Sequence, residues 1–384
     1  VPHRLLFTVT TDLSYDQRMQ RICTTLAEQG YDVHLCGRQR AASVPLRDTP
    51  YRQTRLRCWF DKGKLFYLEY NVRLFFWLLR QPADALCGID LDTALPAWLV
   101  ARLKRIPFVF DAHEHFTEME EVVRRPLVQR IWQAVEALVV PRTRYAYTVG
   151  PSIARLLEEK YGTPFAVIRN VSPLRTTEVT PQAAEVPYLL YVGAVNEGRG
   201  LEELLAVMPH LPCHLYICGE GDRLEALKAQ AQALHLNEKV RFFGYVEPHR
   251  LPPLLAGATA GYLMLTNQGL SYYYSLANKF FDYLHAGIPQ ITVDFPEYRA
   301  LNAQYEVALL TELRPEAIRA AVETLWYDRA FYERLAENAR RARHELNWQR
   351  ESQKLLRFYE GVFAGAGAVA SAEGASSVGV TPSK

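Results

Sequence analysis

Apolar and polar positions fall into two alternating patterns along the chain. Short, nearly all-apolar runs fit strands buried on both faces. Longer stretches with apolar residues three or four apart fit helices lying on a sheet. Residues 5–9 read as a strand, 16–29 as a helix stopped by Gly30, and 32–36 as a second strand. Strands at 83–87, 108–110 and 145–149 follow, with helices over 93–104 and 127–140. This alternation predicts βαβ units and a parallel sheet. At 172–187 the pattern lapses into SPLRTTEVTPQAAEVP, with three prolines and no period, which reads as a linker. It then resumes with strands at 188–192, 214–218, 240–243, 261–265 and 290–293, and helices at 201–208, from about 223, and within 275–289. Helices fill 315–360, and the closing AGAGAVASAEGASSVGVTPSK is small-residue low complexity, expected to be disordered.

The predicted fold class is α/β, with two doubly wound, Rossmann-like domains at 1–171 and 188–345 joined by the linker at 172–187. A length of 384 residues agrees, being too great for one ordinary core. Ligands of such sheets bind beyond the carboxyl ends of strands, so the loops there are the candidates for chemistry.

Composition narrows the classes. Hydrophobic (49%) and charged (22%) shares are those of ordinary globular chains, and a net charge of +2 with no basic–aromatic pattern speaks against nucleic acid. Charge is uneven, however: residues 1–180 hold 25 Lys and Arg against 19 Asp and Glu, while the remainder holds 19 against 23. Solvated surface charge accounts for this, and an anionic substrate or membrane surface is the other reading. Six cysteines form no CxxC and no His/Cys cluster with zinc spacing, so reduced thiols and a cytoplasmic location are expected. No secretory h-region and no apolar run of 18 residues is found. The stretch KLFYLEYNVRLFFWLLR (64–80) is too short and charged to span. It reads as a helix packed on a sheet, with an amphipathic membrane-surface helix as the other reading.

Four loops carry candidate chemistry. In YLLYVGAVNEGRGLEELL a strand ends at Gly193, and Arg199 stands between Gly198 and Gly200 where a helix begins. A guanidinium beside helix amides suits phosphate, and a glycine turn with a solvated arginine fits equally well. CGEGD follows the next strand; Gly219 and Gly221 permit close backbone approach, and Asp222 reads as a helix cap. The loop Gly244 to Val246 can receive a nucleobase on its main chain. In SLANKFFDYLHAGIP, Ser275 or Asn278 starts a helix that Gly287 ends. Lys279 sits at the positive end of that helix dipole, an unfavourable place that an anion would relieve. Asp282, one turn on, is placed to accept from ribose hydroxyls.

In the first half, FVFDAHEHFTEMEEVV sets Asp111, His113, Glu114 and His115 after a strand, and His113 is the candidate to touch substrate. HxH invites a metal, but further ligands are not placed, so none is assigned. Asp12, Tyr15, Asp16 and Arg18 belong to a loop that lacks G-x-G-x-x-G, against a dehydrogenase. Asp12, Tyr15, Arg18 and Glu114 are expected on the acceptor side of the cleft. Asp90-Leu91-Asp92 looks like a metal–nucleotide DxD, but helix capping by Asp92 or Thr93 is the favoured reading.

Taken in order, YVGAVNEGRGLEELL, CGEGD, RFFGYV, ANKFFDYLHAGIPQI, DAHEHFTE and NWQRESQKLLRFYEGV resemble the glycosyltransferase family 4 group, enzymes of the GT-B fold, over about residues 4–362. The resemblance implies a nucleotide-sugar donor on the second domain and an acceptor on the first. It also implies transfer with retention of configuration, no metal, and no cofactor beyond the donor as co-substrate. A helix at 346–362 would cross back to the first domain, leaving 363–384 as a tail. By position, Arg199 takes the slot of the diphosphate-gripping base, Lys279 that of the motif lysine, Asp282 that of a ribose-binding glutamate, and His113 that of the histidine at the transferred sugar. Gly193, Val246, Ser275 and Asn278 complete the expected donor set. The departures are Ala194 where an arginine is usual, Ala277 where proline is common, and Tyr274 and Asp282 in place of two paired glutamates, so that sugar contacts are expected from the GLSYYYS loop. Polysaccharide or glycoconjugate synthesis, with a sugar or lipid-linked acceptor at the inner membrane surface, is what the family suggests. A GT-B epimerase, a non-catalytic nucleotide-sugar binder and a periplasmic binding protein are the competing readings.

Overall fold

A computed structural model describes residues 2–175, 180 and 184–375, with side chains through 365. The chain divides into two compact units, residues 1–169 with 352–384, and 170–351.

The first unit is a seven-stranded sheet in the order β3-β2-β1-β4-β5-β6-β7. Its strands are β1 (Arg4–Thr8), β2 (Asp32–Gln39), β3 (Arg52–Arg57), β4 (Ala85–Ile89), β5 (Phe108–Ala112), β6 (Tyr145–Thr148) and β7 (Ala166–Val167). All pair in parallel, with Phe7 opposite Leu35 on one side and Cys87 on the other. Its helices are α1 (Gln17–Glu28), α2 (Gly63–Arg80), α3 (Asp90–Lys104), the short α4 (Glu120–Val123), α5 (Pro126–Val139) and α6 (Pro151–Tyr161). β4 and β5 are buried at every residue, which explains their unbroken apolar character.

The second unit is a six-stranded parallel sheet in the order β10-β9-β8-β11-β12-β13. Here β8 is Tyr188–Val192, β9 His214–Cys218, β10 Val240–Gly244, β11 Ala260–Leu263, β12 Gln290–Val293 and β13 Ala308–Thr311. The helices are α7 (Leu201–Val207), α8 (Leu224–Ala233), α9 (Leu251–Gly257), α10 (Leu270–Tyr273), α11 (Asn278–Ala286), α12 (Pro296–Tyr305), α13 (Pro315–Tyr327) and α14 (Arg329–Ala342). Tyr283 fixes α11 to the sheet: its hydroxyl donates to Leu190 O at 2.9 Å and accepts from Val192 N at 3.2 Å. The helix that bears Lys279 is thereby tied to the strand that ends at Gly193.

Strand order reverses between β1 and β4 in one sheet and between β8 and β11 in the other. Crevices open at such points, beyond the carboxyl ends of the strands.

The last helix, α15, runs Trp348–Ala375, and from Ser352 onward it belongs to the first unit. Tyr359 packs on Phe7 with ring centroids 5.9 Å apart, and Phe358 meets Tyr147 edge-on at 5.1 Å. Phe363 stacks on His3 at 4.0 Å, so order continues past residue 362, where the tail was expected to begin. Of the expected linker, 176–179 and 181–183 lie outside the described residues, as does 376–384 of the tail.

Candidate functional site

In the first unit a chain of ionic groups lies at the β1/β4 crevice. Asp111 is the penultimate residue of β5, its side chain fully buried. A lone carboxylate there would cost several kcal/mol, so it must be paired. Arg18 Nη2 donates to Oδ1 at 3.2 Å, and His113 Nε2 lies 2.9 Å from Oδ2. The second Arg18 terminal nitrogen donates to Ile168 O at 3.1 Å. Burial pushes the Asp111 carboxyl up, but Arg18 and His113 together hold it below the usual range. Burial opposes charge on His113 as well, yet Asp111 and Asp90 outweigh it and the imidazole pKa rises. Because ionised Asp111 can only accept, it takes the Nε2 proton and leaves Nδ1 as the outward-facing nitrogen.

That nitrogen lies 4.0 Å from Asp90 Oδ2, while Asp90 Oδ1 accepts from the His113 amide at 2.8 Å. Asp90 holds φ at +50°, a left-handed conformation unusual for a non-glycine residue. Burial, reinforced by Asp92, Glu114 and Asp111 against His113, pushes its carboxyl up to about 8. Asp92, pushed up to about 6 by burial, accepts from the Thr10 hydroxyl at 2.5 Å. The capping role expected of Asp92 or Thr93 is not found: α3 starts at Asp90, and no side chain caps it. The DLD triplet instead ties β4 to the loops after β1 and β5.

The expected acceptor-side residues diverge in placement. Arg18 is 4% exposed and spends its charge on Asp111, deeper than a cleft edge. Asp12 is held in its own loop, accepting from Ser14 N at 3.1 Å, whereas Tyr15 is 60% exposed. Glu114 is exposed beside this cluster and adds to the repulsion on Asp90. Asp16 caps α1, accepting from Met19 N at 3.0 Å.

The second unit presents a different arrangement at the β8/β11 crevice. Gly193 follows β8 with φ +130°, a conformation that favours glycine, and a Cβ there would stand 3.1 Å from Lys279 Nζ and press on the lysine. Lys279 Nζ lies 3.7 Å from the ring centroid of Tyr191. Burial, then the Arg199 charge, push its pKa well down, with Asp282 opposing. Lys279 turns to Tyr191, and Asp282 Oδ1 accepts from Ser172 Oγ at 2.9 Å.

Arg199 precedes α7, its guanidinium 5.1 Å from the Tyr272 ring centroid and its Nε buried without a partner. Thr266 Oγ1 is likewise buried and unpartnered, in the loop after β11, where Thr266 N donates to Gly198 O at 3.0 Å. Among the described residues, no carboxylate forms an ion pair with Arg199 or Lys279.

Other expected donor residues take supporting places. Ala277, not Ser275 or Asn278, is the N-cap of α11, with no side-chain cap. Ser275 Oγ donates to Tyr272 O at 2.8 Å, and Asn278 is exposed in the first turn. Val246 is half-buried in the loop after β10. The glycines of CGEGD make room for the chain itself. A Cβ on Gly219 would fall 1.8 Å from Gly193 O, so this residue seats the Gly193 loop. Asp222 is not a cap; Arg223 holds that position in α8. Tyr191, Asp90 and Asp92 are site residues that sequence reasoning missed, whereas Tyr272 lies in the GLSYYYS loop expected to touch the sugar. Of those missed, only the DLD triplet gave a signal.

Two doubly wound parallel sheets, each with a switch-point site, define a two-domain Rossmann-like protein of the GT-B type. Two family models divide the chain between them: "Glycosyl transferase 4-like domain" matches residues 15–173 and "Glycosyl transferases group 1" matches 176–342. The chain belongs to the family 4-like glycosyltransferases. No curated protein matches it. Among solved structures it is similar to sucrose-phosphate synthase from Thermosynechococcus elongatus (TM-score 0.80, 16% identity, 94% of this chain and 100% of that one). It is also similar to HepE of Anabaena in complex with UDP (0.72, 12%, 94% and 100%). A third is WaaG, a glycosyltransferase of lipopolysaccharide biosynthesis (0.68, 16%, 91% and 98%). At these identities the likeness establishes the fold.

Proposed function

We propose that this glycosyltransferase moves a sugar, of hexose type, from a nucleoside diphosphate to an acceptor hydroxyl with retention of configuration. Its setting would be polysaccharide or glycoconjugate synthesis in the cytoplasm, with a sugar or lipid-linked acceptor at the inner membrane surface. The observation that carries the reading is the pair Arg199 and Lys279. These are two cations at one crevice with no ion-pair partner among the described residues, and one has a depressed pKa. Such a pair is stabilised by a bound dianion such as a diphosphate. That the HepE structures hold UDP and UDP-glucose supports this choice.

In the reaction, the bond from the anomeric carbon to the phosphate oxygen breaks and its electron pair leaves with the diphosphate. Arg199, Lys279 and the amides at the start of α11 stabilise that charge. The acceptor oxygen bonds to the same carbon from the same face, and its proton passes to a phosphate oxygen. His113, held by Asp111, is assigned to the transferred sugar. The scheme calls on no metal and no cofactor besides the co-substrate.

Thermal-shift screening of nucleoside-diphosphate sugars tests it, followed by product analysis. One donor should raise Tm in the wild type but not in Arg199→Ala, and the product should keep the donor's anomeric configuration. A donor altered without acceptor points to an epimerase, and binding without turnover to a non-catalytic protein. A shift that survives Arg199→Ala would refute the site.

A further inference from the structure

Helix α2 carries two apolar stripes on opposite faces. Phe66, Tyr70, Leu74 and Leu78 are buried against the first unit. At 100° per residue, Leu65, Leu68, Val72, Phe76 and Leu79 centre on the far side, and all are exposed, Leu68 to 65%. The stretch is therefore packed on the sheet, as expected, and is also apolar where it faces solvent. Helix α5 repeats the pattern: Leu127, Ile131 and Leu138 recur at i, i+4 and i+11 on its outer face, Leu127 exposed to 68%. Leu99 and Leu103 do the same on α3.

These stripes share one layer. The connections β3-α2-β4, β4-α3-β5 and β5-α5-β6 all step the same way along the sheet, so right-handed crossovers put the three helices on the same face. Asn71 of α2 donates to Asp92 O of α3 at 2.9 Å, and Tyr67 of α2 meets Trp132 of α5 edge-on at 5.5 Å. Trp59, in the loop before α2, is 86% exposed.

The outward charge of these three helices is mainly basic. Glu136 is buried, and Asp90 and Asp92 face the crevice, which leaves Glu69 as the outer acid of the three helices, and Arg73 pairs it at 2.7 Å. Lys64, Arg80, Arg102 and Arg130 have no ion-pair partner among the described residues. Exposed Leu, Phe and Trp rimmed by basic residues are what an anionic lipid surface binds, apolar side chains entering the acyl boundary and cations meeting headgroups. None of the described helices is long and apolar enough to cross a membrane.

We propose that the outer face of α2, α3 and α5 docks this protein on an anionic lipid bilayer. The inference deepens the membrane-surface part of the proposed function and is independent of donor binding, because it is tested without nucleotide.

The full chain is sedimented with vesicles of phosphatidylglycerol and phosphatidylcholine, and with phosphatidylcholine alone. Wild type should pellet with the anionic vesicles, be released by salt, and stay in solution with the neutral ones. Leu68→Glu with Ile131→Glu should weaken partitioning at least about tenfold, and Arg102→Glu with Arg130→Glu at least about 30-fold, about 1 kcal/mol being expected per basic residue. Both pairs are exposed, so Tm and the donor-induced shift should stay at wild-type values. Wild type that ignores anionic vesicles overturns the proposal, as do apolar variants that bind like wild type. So does a wild-type dimer, without vesicle binding, that Leu68→Glu dissociates, because a second copy would then cover the face.

Discussion

The two crevices treat charge in opposite ways. In the first unit Asp111 is satisfied from both sides by Arg18 and His113, and the acids around it share protons and amides. In the second unit the Arg199 and Lys279 charges repel, each group beside a tyrosine ring, and neither has an ion-pair partner among the described residues. A matched network sets geometry before anything binds. An unmatched pair of like charges stores repulsion that a ligand removes. The first crevice is thus built to position and the second to capture.

Removing a group from the matched network should damage folding most. Asp111→Ala leaves Arg18 buried without its partner and should cost about 3–5 kcal/mol in chemical denaturation. A loss below about 1 kcal/mol would mean that the network is not structural.

Removing a member of the unmatched pair should damage turnover while sparing the fold. Lys279→Met should lower kcat about 10²–10³-fold, as loss of one charge-stabilising group does, with Tm equal to wild type or higher. A drop in Tm with near-normal turnover would reverse the two roles.

pH should separate the units. Asp90 keeps its proton to about 8 when folded but loses it near 4 when unfolded, so stability falls as pH rises between these values. His113, with its folded pKa raised, acts in the same direction, its contribution being lost as pH climbs through that value. Lys279, with its folded pKa depressed, acts oppositely: its cost is present at low pH and fades as pH rises towards the unfolded lysine value. Hydrogen exchange across pH 6 to 8 should show protection declining at β4 and β5, with Asp90→Asn flattening that slope, but not at β8 and α11. A parallel decline in both units would break the comparison.

The smallest effect is expected at Asp282. Ser172→Ala removes its 2.9 Å hydrogen bond and should cost about 1 kcal/mol. If Asp282 serves the ribose, freeing it this way should leave donor affinity within about threefold.

The legibility of the sequence follows the same division. Strands buried on both faces, such as β4, β5 and β8, announce themselves as apolar runs, and the βα rhythm carries the fold. Three of the four edge strands escape: β3 reads RQTRLR with no apolar stripe, β7 is two residues long, and β13 borders solvent. In the second unit Arg199 and Lys279 were readable because glycines and a helix start flank them. In the first, Asp90 and Asp92 were passed over because Asp92 or Thr93 resembled a cap, since helix starts favour such residues for local reasons. Their true partners, Thr10 and His113, come from loops far away in sequence. Nor could the sequence show that Arg18 turns inward to Asp111 or that Asp282 is taken by Ser172.

The central claim is that Arg199 and Lys279 await a diphosphate. Calorimetric titration of nucleoside diphosphates into wild type and into Arg199→Ala with Lys279→Met tests it directly. The account predicts that one diphosphate binds wild type, its charge meeting Arg199 and Lys279 at the second crevice. It predicts that the double variant loses at least about 100-fold in affinity. Equal binding by the double variant would contradict it.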